Sequence, residues 1–492
     1  MKNKEIYIKA SIIILPVIIF CSCSQNENLV PIRIYPDSIL NDLSDNPLGI
    51  NVNYFMDDDN YLKPERRSAD ALKAMSMKYL RYPGGNKSDL YLFSVPPYEK
   101  AQPTLARTGK GAVGYDRVIK DDQQFKFDVL DFDEFIAMCR ETGAEPVVVV
   151  AADEYLVSYP ESSNVTSREG LIKNAVEWVR YSNVKKGYNV RYWMIGNECW
   201  HENNKNSSPE IYSRDVVDFS RAMKEVDPSI FIIPNGNSVD FFKKVLAIAG
   251  QDIDFLCLSN YPVWNYAAGY VSYRDTLKDL LGPVKRAITA MKEMSEENGS
   301  KNLKLIIAEY GPFDWSYKWP FINDMGHTLC NFEITGQQLS MPEIEFSCFW
   351  NTRWIENDTI ENSVHDALDK NGNFNAIGYG MMIWGKYTGE KMVRSSGTLH
   401  IRSFASYSPD KNQLFVYLLN KEESPVKVKI IVENYKIAGI ISLSRLTGQG
   451  SDDVNPVWTE NLPVPGKDLS NLVLPGISIS VLNVNLKNQQ VP

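Results

Sequence analysis

From about residue 45 to 390, short apolar runs alternate with longer stretches in which apolar residues recur every three or four positions. This is the pattern of repeated strand–helix units. The apolar runs are, in order, "LGINVNYF", "KYLRYPGG", "PVVVVAAD", "VRYWMIGNE", "IFIIPNG", "IDFLCLSNYP", "LKLIIAEYG" and "IEFSCFWNT". Helical spacing marks 62–76, "DFDEFIAMCRETG", 167–183, 209–225, 273–297 and 374–388. Eight such strands with helices between them predict an α/β fold, a (β/α)8 TIM barrel spanning 43–390. Beyond 390 the texture changes to short alternating segments separated by turn residues, among them "LHIRSFASYS", "NQLFVYLLNK" and "VKVKIIVENY". These predict a C-terminal β-sandwich over 391–492, and the extended "LVPIRIYP" within 30–42 offers it a further strand. No repeat or low-complexity linker separates the two modules, so they are expected to pack together.

Composition narrows the class without changing the architecture. The 492 residues are 44% hydrophobic, 11% aromatic and 23% charged, which is ordinary for a folded soluble protein. A formal net charge of −9 argues against a nucleic-acid partner, which asks for a basic face. Twenty-six Tyr and ten Trp are enough to line a groove. At the start, Lys2 and Lys4 precede "SIIILPVIIF", an apolar run too short to span a bilayer comfortably, followed by "CSCSQNEN". Residues 1–22 are read as a signal peptide. Ser22 before Cys23 resembles the cleavage box of bacterial lipoproteins, which makes Cys23 the expected lipidation site, with Cys21 second and an ordinary secretory signal as the alternative. The expected location is the cell envelope, at the outer membrane or in the periplasm, with the protein held to a membrane by its lipid.

The other cysteines, Cys139, Cys199, Cys257, Cys330 and Cys348, have no short paired spacing and do not form a disulfide framework. The four histidines, at 201, 327, 365 and 400, have no metal-ligand spacing. Neither a metal nor an organic cofactor is expected.

In a barrel of this kind the chemistry sits where strands end, on the βα loops. The strand ends carry Arg81, Gly84, Gly85 and Asn86 after strand two, Asp153 and Glu154 after strand three, and Asn197 and Glu198 after strand four. Strand six ends in Asn260 and Tyr261, strand seven in Glu309 and Tyr310, and strand eight in Trp350 and Asn351. Glu198 and Glu309 come from opposite sides of the barrel mouth and can converge on one bond. Glycoside hydrolysis needs such a pair, one acid protonated and one ionised. Burial and a neighbouring charge raise the first, while donors such as Arg81 and Tyr261 hold the second.

These motifs resemble clan A of the glycoside hydrolases, retaining enzymes on (β/α)8 barrels. "LRYPGGN" from Leu80 to Asn86, "IGNE" and the C-terminal β-sandwich resemble family 51, the α-L-arabinofuranosidases. The resemblance implies that Glu198 is the acid/base and Glu309 the nucleophile. It also implies that Arg81, Asn86 and Asn197 contact sugar and that Tyr261 stands beside the nucleophile. The chain departs from the family at Ser259, where a His is usual, at "AEYG" around Glu309, at Asp153 and Glu154, and at "KSDLYLFSVPP" after Asn86. These departures bear on which sugar is bound, so a clan A specificity for another pentose or hexose linkage stays open. A non-catalytic glycan-binding surface lipoprotein is the reading from another class. Trp264, Trp315, Trp319, Trp350 and Trp354 fall in or near the loops of the active face, and Trp350 is the one expected to offer a platform to a sugar ring. Asp153 and Glu154 are either substrate contacts or solvated, and His201 is expected to be a structural or surface residue rather than one that tunes the proton affinity of Glu198.

Overall fold

The computed structural model describes residues 29–108, 125, 128–156, 164–201, 208–276, 279–298, 303–353, 363–464 and 469–488. The signal segment, Cys21, Cys23 and Trp354 lie outside the described residues. Among those described, no helix is long and apolar enough to cross a membrane.

The eight strands form one parallel sheet: Leu48–Asn51, Tyr79–Tyr82, Glu145–Val150, Tyr192–Ile195, Phe231–Pro234, Phe255–Asn260, Lys304–Tyr310 and Ile344–Phe349. They are numbered here as barrel strands one to eight. Neighbours in sequence are neighbours in space, and strand eight returns to strand one. A parallel bridge between Asn235 and Cys257 links the remaining edges, strands five and six.

Both faces of these strands are covered, which is why they read as near-continuous apolar runs. Outward residues such as Leu80, Val148, Trp193 and Ile232 pack under the helices. Inward residues including Tyr79, Val147, Tyr192, Met194, Ile306 and Phe346 fill the barrel, where the Tyr79 ring stacks on Phe346 with centroids 3.9 Å apart. Following the inward row toward the strand ends, the side chains turn polar. Tyr79 gives way to Arg81, Ile233 to Asn235 and Cys257 to Ser259, so the last layer of the barrel is the floor of a polar mouth.

Several expected elements shift. The helix expected over 62–76 is two short ones, Asp59–Leu62 and Ser68–Ala74, and the one over 273–297 divides into Tyr270–Arg274 and Gly282–Asn298. Two helices were not anticipated, Val239–Ala249 after strand five and Met325–Leu339 after strand seven. The second is buried at every position except Gln337, so it has no polar stripe from which a helical period could be read. It lies between the two modules. Its Gly336 faces the Phe404 ring, and its Glu333 pairs with Arg402 at 2.6 Å and accepts from Tyr273 at 2.8 Å.

The C-terminal module is a single nine-stranded sheet in the order Val457–Thr459, Tyr435–Thr447, Ser478–Asn488, Gln413–Asn420, Ile401–Ser408, Lys391–Ser395, Val30–Asp42, Val426–Val432 and Leu472–Leu474. Ile32, Ile34, Val416, Val428, Leu443 and Leu482 share one apolar core, which the sheet curls around. The N-terminal strand Val30–Asp42 runs antiparallel to Lys391–Ser395 and parallel to Val426–Val432. The chain therefore builds one strand of this module before it enters the barrel.

Candidate active site

Arg81 is 1% exposed and organises the floor of the mouth. Its Nη1 donates to Asn51 Oδ1 at 2.7 Å and to Glu309 Oε1 at 3.0 Å, its Nη2 donates to Asn197 Oδ1 at 2.7 Å, and its Nε reaches Met194 Sδ at 3.2 Å. One planar guanidinium thus joins strands one, two, four and seven, a task its fixed fork of donors suits better than a flexible ammonium. Asn51, which the strand-end reading passed over, is held by Ala308 O and Phe349 O, both accepting from its Nδ2. Its signal in the sequence is an Asn closing an apolar strand.

Glu309 is 5% exposed. Its second oxygen accepts from Tyr261 Oη at 2.8 Å. Burial and the two nearby glutamates hold the Tyr261 hydroxyl well above its ordinary pKa, so it stays a phenol and a donor. Glu309 therefore receives one bond from a cation and one from a neutral hydroxyl, an arrangement that suits a carboxylate.

Glu198 stands in a different setting. It follows Gly196, whose φ is +67°, and is itself left-handed at φ +44°, a conformation that aims its side chain across the mouth. Burial first and the Glu309 charge second push its carboxyl up to about 7, opposed by a bond from Ser259 Oγ to Glu198 Oε1 at 2.5 Å. Ser259 occupies the position where the resemblance led to an expectation of His, and it bonds Glu198 rather than Glu309.

If protonated Glu198 is the form that works, activity falls as pH rises through about 7, because that is where the proton leaves. Removing the Ser259 hydroxyl takes away a bond that favours the charged form, so Ser259→Ala moves the alkaline limb of kcat/KM to higher pH, by roughly half a unit to one unit. A limb that stays in place or moves down would show that the limb does not belong to Glu198.

The remaining expectations divide. Asn197 is buried and joined to the cluster, its Oδ1 on Arg81 and its backbone N–H donating to Asp89 Oδ1 at 3.0 Å. Asn86 stands exposed on the 3-10 turn Gly85–Asp89 at the same end of the barrel. Asp153 and Glu154 are not solvated: both are buried, and Glu154 pairs with Arg107 at 2.8 Å while burial raises it to about 7. Trp350 does not offer an open platform. It is 6% exposed, and its ring lies so close over Gly85 that a Cβ there would stand 2.2 Å from it. Trp319 is core, stacked on His327 at 3.8 Å. Among the described residues, the indoles that face solvent are Trp264 and Trp315, 64% and 37% exposed, with Tyr317 nearby at 71%.

Trp315 packs edge-on against Tyr261 at 5.5 Å, so an aromatic ridge through Trp315, Phe321 and Tyr317 starts at the ring that touches Glu309. Asp314 ties the two loops that carry these rings. It accepts from the backbone N–H groups of Asn265, Tyr266, Ser316 and Trp319. Two further asparagines, Asn53 and Asn351, close strands one and eight with both amide atoms buried and unpaired within the protein. No trio of residues able to hold a metal ion occurs among the described residues.

The chain also resembles known proteins. Residues 71–276 match the family model described as the α-L-arabinofuranosidase 1 domain, a stretch that includes Arg81, Asn86, Asn197, Glu198 and Tyr261 and stops short of Glu309. A probable α-L-arabinofuranosidase C of Aspergillus niger is 28% identical over 184 residues, 33% of this chain and 30% of that protein. An intracellular exo-α-(1→5)-L-arabinofuranosidase of Acetivibrio thermocellus is 24% identical over 49% of this chain and 47% of its own. The chain thus spans less than half of these relatives. In fold the likeness extends over nine-tenths of the chain. The α-L-arabinofuranosidase of Thermotoga maritima, solved with arabinose, aligns with a TM-score of 0.68 at 19% identity, over 92% of this chain and 99% of that one. A family 44 xyloglucanase of Paenibacillus polymyxa aligns at 0.58 and 12% identity, over 93% and 99%. The chain is accordingly similar to α-L-arabinofuranosidases in sequence over residues 71–276, and in fold, over nine-tenths of its length, to solved arabinofuranosidases that include family 51 enzymes.

Proposed function

We propose that this protein is a retaining glycoside hydrolase, α-L-arabinofuranosidase-like in its activity. The observation that carries the reading is the unequal setting of the two carboxyls, Glu309 held by Arg81 and Tyr261, and Glu198 raised to about 7 by burial and by Glu309. Glu309 attacks the anomeric carbon while Glu198 delivers its proton to the departing oxygen, leaving a glycosyl ester on Glu309 and a free alcohol. Glu198, now ionised, takes a proton from water. The resulting hydroxide attacks the same carbon, Glu309 leaves, and the configuration is retained. The Arg81 and Tyr261 bonds to Glu309 steady the carboxylate both as it attacks and as it departs.

The aromatic ridge from Tyr261 to Tyr317 suits a leaving group made of further sugar rings. The experiment is a panel of aryl pentosides and hexosides together with arabinan, arabinoxylan and their oligosaccharides, product configuration being read by NMR. The expected result is release of L-arabinose with retention and a kcat/KM that rises with oligosaccharide length. Release of a different sugar would keep the chemistry and change the specificity, whereas binding without any release of reducing sugar would favour a glycan-binding protein.

We also propose that residues 1–22 are removed and that Cys23 is lipidated, anchoring the protein in the cell envelope. The support is the Lys2 and Lys4 charges, the apolar run and the small Ser22 before Cys23. Mass spectrometry of the mature N-terminus decides between a lipidated Cys23, a lipidated Cys21 and an unmodified cleaved end.

A further inference from the structure

We infer that Asn235 is a positioning residue for Glu198, holding the turn that carries it; the inference rests on the acid/base reading of Glu198 given above. A glutamate at φ +44° is in a left-handed backbone conformation that disfavours any residue with a side chain, and it persists only where the surroundings impose it. Asn235 lies one residue beyond barrel strand five and is 4% exposed. Its Nδ2 donates to Ile195 O at 3.1 Å and to Gly196 O at 3.2 Å, and its Oδ1 accepts from the Cys199 N–H at 2.8 Å. The one amide therefore grips the chain on both sides of Glu198.

Tyr212 completes the clamp. Its hydroxyl donates to Ile195 O at 2.7 Å and accepts from the Asn235 N–H at 2.9 Å. The side chain of Glu198 is held at its tip by Ser259, and the N–H of Asn197 by Asp89. Asn235 is the member that fixes the backbone from which Glu198 projects. The task needs donors and an acceptor on one short planar group, which among side chains of this size only an amide supplies. An aspartate here would keep the bond from Cys199 and lose both bonds to the carbonyls.

The consequence concerns aim. In the first half-reaction the proton leaves Glu198 for the glycosidic oxygen as the C–O bond breaks, so a misplaced Glu198 penalises leaving groups in proportion to their need for that proton. Sugars and alkyl alcohols need it, while a strongly acidic phenol departs without it.

The test compares kcat/KM, which reports this half-reaction, for an arabino-oligosaccharide and for a dinitrophenyl glycoside of the same sugar. Asn235→Ala is expected to lose roughly 30- to 100-fold on the oligosaccharide and less than about threefold on the dinitrophenyl substrate. Asn235→Asp is expected to stay impaired. Tyr212→Phe, which deletes a single oxygen and keeps the fold if Asn235→Ala does not, is expected to show a smaller loss with the same preference. An equal fall on both substrates, or no fall in either variant, overturns the inference. Glu198→Gln measured in parallel separates it from the underlying reading. If that variant shows no dependence on the leaving group, the acid/base assignment itself fails, and with it the inference. If Glu198→Gln shows the dependence and the Asn235 and Tyr212 variants do not, the inference alone fails.

Discussion

Glu309→Ala is expected to abolish turnover, by roughly 10⁴-fold or more, and added azide is expected to restore product formation with inverted configuration. Under the proposed mechanism the substitution removes the group that attacks the anomeric carbon and leaves a space in its place, bounded by the Arg81 and Tyr261 donors that formerly held the carboxylate. A small anion can enter that space. It attacks once, from the face Glu309 would have used, and no second displacement follows, so retention becomes inversion. The product to look for is the glycosyl azide of opposite anomeric configuration, identified by NMR. Ordinary activity in this variant, or rescue with retained configuration, would remove Glu309 from the nucleophile's place.

The second large effect belongs to Arg81. Arg81→Met is expected to cost about 3–5 kcal/mol of stability, because it leaves the buried Glu309 carboxylate without its cation and orphans Asn51 and Asn197 together. In thermal unfolding of a chain this long that corresponds to a midpoint lower by roughly 3–7 °C, and hydrolysis is expected to fall with it by roughly 100-fold or more at temperatures where the variant is still folded. The control is an exposed pair such as Lys304–Glu345, 3.0 Å apart, where Lys304→Ala is expected to leave both quantities nearly unchanged, since water already solvates both charges. An Arg81→Met protein with unaltered unfolding and unaltered hydrolysis would mean that the guanidinium organises nothing.

Much of this architecture was legible because strands buried on both faces leave a strong mark. Each barrel strand appears as an apolar run, and each run ends in polar residues where the inward row leaves the packed layers, as in Tyr79 to Arg81 or Cys257 to Ser259. The strand ends that carry Glu198 and Glu309 could therefore be placed from strand count. What failed to show had physical causes. The helix Met325–Leu339 is enclosed between two modules, so amphipathicity, the usual signal of a helix, is missing. Trp350 was expected to be open because it follows a strand, yet Gly85 lets the chain come close enough to cover its ring. Trp264 and Tyr317 are exposed because Asp314 draws four backbone N–H groups of two distant loops onto one carboxylate. No local pattern signals that gathering.

By itself, then, the sequence determined the alternation of strands and helices, the polar ends of the strands and the two glutamates on strands four and seven, because periodicity and strand-end polarity are local properties of the chain. The tertiary structure alone decided that one guanidinium links Asn51, Asn197 and Glu309, that Ser259 and Asn235 hold Glu198 at its two ends, and that the open aromatic face is Trp315 and Tyr317 rather than Trp350. These contacts join residues dozens to hundreds of positions apart. Their distances and burial exist only once the barrel has closed and brought the strand ends into one layer.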